Sequence, residues 1–322
     1  MTGREDGEVD RQPQAASHPP PASDVTPASD VTPASHAAPH SRTTPQWLIP
    51  DWPAPPGVRA LSTLRVGGSS RPPYASLNVG GHVGDAPIAV AKNRRSLREA
   101  AGLPAEPSWL TQVHGIRVAD LDAIEPDAAR APESATLRES ADAVVTARPG
   151  RVCAILTADC LPILLAAVSG GRVGAAHAGW RGLAAGVIEA AVAAMGVPPQ
   201  QILAWLGPAI GPLHFEIGPE VREALLKGDP GADAAFVPSA KAHGGAAPAD
   251  AVGSAGSRET ADRYMADLYA LARRRLHRLG IERIYGGTEC TFSRQDRYFS
   301  HRRDGQTGRQ ASLIWLEDAR SR

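Results

Sequence analysis

Three short segments of this 322-residue chain hold side chains that can bind a metal or attack carbon. They are Gln112-Val113-His114-Gly115, Ala158-Asp159-Cys160-Leu161-Pro162 and His177-Ala178-Gly179-Trp180-Arg181-Gly182. Each sets an imidazole or a thiol beside Gly, Pro or Asp at the mouth or end of an apolar run. Two His and one Cys are one ligand short of a closed tetrahedral zinc site, whereas a catalytic zinc keeps its fourth position for water or substrate. The ligand count for His114, Cys160 and His177 therefore points to chemistry rather than to a structural metal. A metal-free arrangement uses the same atoms: Cys160 as thiolate nucleophile, His177 as its base, and Asp159 or another carboxylate as orienter. Both need the same proximity, so spacing does not choose between them, and three unrelated residues remain a further reading. Cys153, inside an apolar run, has the pattern of a core residue.

Several arginines lie next to glycines or turns. Arg65 precedes Gly67-Gly68, Arg181 sits between Trp180 and Gly182, and Arg302-Arg303 precedes Asp304-Gly305. Such placement suits bidentate capture of phosphate or carboxylate, though any single arginine also reads as an ordinary surface charge. A multicopper site fares badly, because it needs many imidazoles in close His-x-His pairs and none of the ten histidines forms one. The H-x-E and P-C-x-x-C signature of zinc nucleobase deaminases is absent as well.

The elements that must position these residues mix strands and helices. Residues 58–63, 109–113, 143–146, 152–157, 202–206, 281–285 and 312–316 read as strands, and 163–168 with 173–177 as a hairpin closed at Ser169-Gly170-Gly171. Helices are expected over 88–101, with Asn93-Arg94-Arg95 on a polar face, over 182–195, and over 262–279 with a stop at Gly280. Many short strands with few helices predict an α+β domain of layered sheets, not a doubly wound fold, and no dinucleotide or P-loop glycine pattern appears.

Residues 1–46 are a different material. They are rich in Pro, Ala and Ser, repeat Ala-Ser-Asp-Val-Thr-Pro in tandem and offer almost no large apolar side chains, so a disordered tail is expected. A flexible insertion is expected around 238–258, inside a domain that spans 47–322. Lys plus Arg and Asp plus Glu both total 34, so no overall field favours nucleic acid or an anionic membrane. Three cysteines without a CxxC pair, no signal peptide and no apolar span predict a soluble cytoplasmic protein.

Seven ordered motifs carry a family resemblance from about residue 58 to 316. Besides the three segments above they are Pro73-Tyr74-Ala75-Ser76-Leu77-Asn78-Val79-Gly80, His82-Val83-Gly84-Asp85, Gly207-Pro208-Ala209-Ile210-Gly211-Pro212 and Phe299-Ser300-His301-Arg302-Arg303-Asp304-Gly305. The chain resembles the YfiH-like family, also called laccase-domain or peptidoglycan-editing proteins. It departs modestly, with Leu64 in a frequent Thr-Thr-Arg triplet and His301 in place of a frequent Tyr. The resemblance implies layered mixed sheets flanked by helices, and zinc rather than copper on His114, Cys160 and His177. It also implies phosphorolysis of adenosine, inosine and S-methyl-5'-thioadenosine, with adenosine deamination as a second activity. Purine nucleoside and phosphate are the implied partners, and Arg65, Asn78, Arg181 and Arg302 the candidate residues to hold them. Two alternatives stay open: a cysteine-dependent hydrolase using Cys160 and His177, in cell-wall precursor editing, and a non-enzymatic metal-stabilised interaction module.

Overall fold

Short apolar runs rich in Val, Ile and Leu become the central strands of two facing sheets. The computed structural model describes residues 44–124, 136–239 and 262–318. In chain order the elements are β1 (Trp47–Leu48), β2 (Val58–Thr63), α1 (Pro87–Ala100), β3 (Trp109–Thr111), β4 (Val118–Asp120), β5 (Thr136–Ser140) and β6 (Ala143–Thr146). There follow β7 (Val152–Thr157), β8 (Leu161–Ala167), β9 (Val173–Ala178), α2 (Trp180–Ala185), α3 (Val187–Ala194), β10 (Ile202–Leu206) and β11 (Glu216–Ile217). The last are α4 (Pro219–Lys227), β12 (Phe236–Pro238), β13 (Tyr264–Ala266), α5 (Leu268–Arg278), β14 (Arg283–Gly286), α6 (His301–Asp304) and β15 (Gln310–Leu316).

One sheet runs β1-β2-β15-β7 and is antiparallel throughout. The other runs β14-β10-β8-β9-β6-β4 and is mixed, parallel only at its two outer pairs. Strand alternation sorts side chains into layers. Cys153 and Ile155 of β7 and Ile314 of β15 meet Leu164, Ala166 and Ala175 of the second sheet in one core. The far faces differ: Ile163, Leu165 and Ala176 pack on α3, α4 and α5, while Ala154, Leu156 and Leu313 pack on Trp109 of β3 and Leu97 of α1. Strands covered on both sides need no polar face, which is why β7, β8 and β15 are buried along their whole length.

The expected hairpin forms as β8 and β9, in register from Leu161↔Ala178 to Ala166↔Val173. Two expected helices differ. Residues 182–195 break at Gly186, whose φ of 102° no ordinary residue adopts cheaply, and become α2 and α3. The helix expected over 262–279 begins only at Leu268. Asp267 accepts hydrogen bonds from the Tyr269 and Ala270 N–H groups as its N-cap, and Tyr264–Ala266 is drawn into a strand between β11 and β12. Its end is as expected: Gly280 (φ 86°) donates to the His277 carbonyl and Ile281 to that of Leu276, a Schellman closure. The polar face of α1 also differs, since Asn93 and Arg94 are buried. Asn93 ties down the 69–78 loop through Ser69, Ser70, Ser76 and Asn78.

The domain starts earlier than expected. Leu64 N–H donates to the Gln46 carbonyl, and a side chain on Gly67 would sit 2.3 Å from the Thr44 carbonyl. The expected tail otherwise lies outside the described residues, as does the expected insertion from residue 240 on. Pro238 itself is paired with Tyr264 in the β12–β13 ladder.

Candidate metal centre

Two loops and the end of β9 meet at one place. β7 runs out at Thr157, the chain turns through Asp159 (φ 91°), and Cys160 stands immediately before β8. His177 lies on neighbouring β9, opposite Pro162. His114 follows β3 in the left-handed region (φ 61°), beside Gly115. The His114, Cys160 and His177 ligand atoms all lie within 4.8 Å of one another, with Cys160 Sγ 3.8 Å from His114 Nε2. The imidazole rings meet edge to face at 4.7 Å. Tetrahedral bonding at zinc–nitrogen and zinc–sulfur lengths needs donors about 3.3–3.6 Å apart, so a small contraction would seat the ion. Among the described residues this is the one cluster of potential metal donors, and its donor set fits a three-ligand site.

A fourth residue organises the cluster. Asp142, fully buried, has its Oδ1 2.8 Å from His177 Nδ1, which leaves Nε2 for a metal. The same carboxylate accepts the Val113, His114 and Gly115 backbone N–H groups at 3.1, 2.9 and 2.7 Å. One side chain thus sets the ring of one ligand and the loop of another. Gln112 ties that loop to β7 by pairing with both backbone groups of Leu156. Asp159 anchors the cysteine turn, accepting from Thr291 Oγ1 and the Arg302 N–H, each at 2.6 Å. Gly179 has no room for a side chain: a Cβ there would lie 2.7 Å from the His114 ring and 3.1 Å from the Cys160 sulfur.

Charge accompanies this geometry. Burial opposes ionisation of Cys160, but His177 and His114 outweigh it and bring the thiol down to about 6. Burial likewise opposes charge on His177, yet the Cys160 thiolate and Asp142 lift it to about 9. Asp142 is held below the usual carboxylate value, burial being outweighed by His177 and the loop N–H groups. Both shifts favour a thiolate beside an imidazolium when no metal is bound.

The structure separates the other expected residues. Arg65 gives Nε and Nη2 to the Ala75 carbonyl and Nη1 to that of Gln295, and lies over the Phe299 ring. Its donors brace loops, and the glycines after it serve backbone contact, since a Cβ on Gly68 would lie 2.2 Å from the Ser76 carbonyl. Asn78 is buried with its amide occupied by Gly80, Asp85 and the Arg309 N–H, so it presents nothing to a substrate. Arg181 is exposed and stacked on Trp180 at 4.3 Å. Arg302 adjoins the site through its backbone bond to Asp159, while its Nη1 donates to the Glu216 carbonyl.

Sequence reasoning missed Asp142 and Arg309, and left His82 as a motif letter without a role. Arg309 immediately precedes β15, whose Gln310 pairs with Thr157 just before the cysteine turn. His82 shares this neighbourhood: desolvation and the charges of Arg309, Arg94, His177 and His114 all disfavour its protonation. A buried Asp flanked by apolar residues, as in Ala141-Asp142-Ala143, was the signal available for Asp142.

Known proteins share this plan. A family described as multi-copper polyphenol oxidoreductase laccase matches residues 59–317. Purine nucleoside phosphorylase PA4543 of Pseudomonas aeruginosa is 50% identical over 272 residues, covering 84% of this chain and 99% of that protein. Purine nucleoside phosphorylase YfiH of Escherichia coli is 48% identical over 269 residues, covering 84% and 98%. Among solved structures, Neisseria meningitidis NMB0706 superposes with a TM-score of 0.70 at 43% identity, over 84% of this chain and 99% of that one. YlmD from Geobacillus stearothermophilus gives 0.68 at 30% identity, over 84% and 96%. With about half of the aligned positions identical along nearly the full length of such relatives, and the same layered sheets, the chain belongs to the YfiH-like, laccase-domain family.

Proposed function

We propose that this protein is a zinc-dependent purine nucleoside phosphorylase acting on adenosine, inosine and S-methyl-5'-thioadenosine, with adenosine deamination as a second activity, in the cytoplasm. The observation that carries this reading is the convergence, among the described residues, of three potential metal donors, His114, Cys160 and His177, at a sheet end. The names of the relatives supply the reaction class. Held by these three residues, a zinc would supply Lewis acidity. The residues do the rest: Asp142 holds His177 in one tautomer, and Asp159 and Gly179 shape the cysteine turn. In phosphorolysis a phosphate oxygen bonds to C1′ of the ribose as the bond to the base nitrogen breaks, and the base leaves with a proton. We assign the single site to zinc, because a multicopper oxidase needs further copper sites and among the described residues there is no second group of potential metal ligands. The test is metal content of the purified chain together with phosphate-dependent release of base from a nucleoside panel. Zinc near one per chain with phosphate-dependent release is expected; release that ignores phosphate counts against the reading.

A second reading draws on the thiolate–imidazolium pair of Cys160 and His177 backed by Asp142, the layout of a cysteine hydrolase. It predicts turnover in metal-stripped protein, which the zinc reading does not.

A further inference from the structure

We infer that Arg309 is the anion-binding residue of this site, holding phosphate against the metal centre, with Asn78 as its positioning residue. The inference rests on the phosphorolysis reading for the identity of the anion. Its first support is register. Gln310 pairs with Thr157 in the antiparallel β15–β7 ladder, so the residue before Gln310 lies across from the residue after Thr157. Arg309 therefore flanks Ala158, two residues from Cys160, although the two are far apart in the chain.

The second support is how the side chain is held. Asn78 Oδ1 accepts the Arg309 backbone N–H at 2.9 Å, and the Asn78 amide is fixed in turn by Gly80 and Asp85. A Cβ on Gly80 would lie 2.8 Å from Arg309 Cγ, so the arginine stem lies directly on a glycine. Gly308 is as tightly enclosed, with Phe299 and Asn78 at 2.7 and 2.9 Å from its Cβ position. Nη1 folds back onto the Thr307 and Gly308 carbonyls at 3.2 and 3.0 Å. The guanidinium is thus preorganised, as a binding group must be.

The third support is what the guanidinium lacks. Arg65 faces Asp304, Arg297 pairs with Glu289, and Arg303 gives its donors to Asp304 and to backbone carbonyls. Arg309 has no carboxylate partner among the described residues, and its Nε and Nη2 have no protein acceptor there. A partly buried arginine beside a metal centre, with a fork of donors unclaimed, is matched by a tetrahedral oxyanion. Electrostatics agree: burial lowers the proton affinity of Arg309, while the negative charges of Cys160 and Asp159 work against that.

The experiment titrates inorganic phosphate into the zinc-loaded full chain by calorimetry and, in parallel, measures the phosphate dependence of base release from inosine. Arg309→Gln should weaken phosphate binding about ten- to a hundredfold, the loss of one charged hydrogen-bonding partner, and raise the KM for phosphate by a like factor. Zinc content and the KM for inosine should change little. Arg309→Lys, which keeps the charge but loses the fork, should fall between wild type and Arg309→Gln and serves as well if the glutamine variant does not fold. Asn78→Ala should weaken phosphate binding in the same direction, and kcat at saturating phosphate should recover. An unchanged phosphate Kd in Arg309→Gln and Arg309→Lys, an equal loss for phosphate and inosine, or no phosphate binding by the wild type would overturn the assignment. If the wild type binds phosphate and Arg309→Gln does not, yet no base is released, the anion site stands and phosphorolysis is the reading that fails.

Discussion

Asp142 supports two of the three metal donors at once, so its loss should be felt at the metal rather than in the fold. Asp142→Asn keeps size and polarity but offers an amide where His177 Nδ1–H and three backbone N–H groups need acceptors. Zinc affinity should drop about ten- to a hundredfold, read by competition with a chromophoric chelator. His114→Ala, Cys160→Ala and His177→Ala should each lose most of the bound metal. A variant Asp142→Asn with wild-type affinity would show that the carboxylate serves the loop alone. Cys160 offers a second check. With its thiol near 6 and half-buried, it should be alkylated by iodoacetamide at neutral pH in metal-free protein, more slowly as pH falls through that value, and hardly at all once zinc is bound. Cys153, buried and pushed to a higher pKa, should stay unmodified in peptide maps of the folded chain.

At the scale of elements, the caps and breaks matter more than helical periodicity. Asp267 stops β13 and starts α5 in one residue, and α5 covers the second sheet through Leu268, Leu271 and Leu276. Asp267→Ala removes two cap bonds and should destabilise the domain by about 1 kcal/mol, lowering Tm by a few degrees in a thermal melt. Metal content should be untouched, because α5 lies on the face away from the four-stranded sheet. Gly179 sits at the junction of β9 and α2 and makes the opposite prediction. Gly179→Ala places a methyl into the His114 ring and the Cys160 sulfur, so metal should be lost while the melt shifts little. A metal-replete Gly179→Ala would mean that the two loops yield more readily than their contacts imply.

For the whole molecule, acid is the most direct probe of its charge design. Burial works against Asp142, Asp122 and Asp304, but hydrogen bonds and neighbouring cations hold all three below the ordinary carboxylate value; for Asp229 the Arg274 pair comes first, with Arg278 adding to it. Groups with depressed folded values contribute stability above their unfolded pKa and lose it as pH falls through the folded one. Tm should therefore be level from neutral pH to about 5 and fall steeply below about 4. A Tm that held level to about pH 2 would mean that these carboxylates are no better paired folded than unfolded. Truncation tests the boundary. Removing residues 1–41 should leave the melt and metal content unchanged, because their Pro-, Ala- and Ser-rich sequence offers almost no large apolar side chains to pack. Carrying the cut through Gln46 should lower Tm, since the Leu64 N–H loses its acceptor and Gly67 its packing partner.

What the sequence determined by itself was local and repetitive. Runs of Val, Ile and Leu specified β7, β8, β10 and β15, and small residues after a glycine turn specified β9; glycines marked the β8–β9 turn and the end of α5; and residue type with flanking Gly, Pro or Asp singled out His114, Cys160 and His177. These signals act within a few residues, where spacing and backbone preference speak directly. Tertiary structure decided which groups face the site and which are used inside the fold. Arg65 and Asn78 look like binding residues in the sequence, yet neighbouring loops occupy their donors. Arg309 and Asp142 looked ordinary, and became part of the site through the pairing of Gln310 with Thr157 and of Ala143 with Ala176. Such pairings join segments with no shared local pattern, and a side chain's unused hydrogen bonds can be counted only after they form.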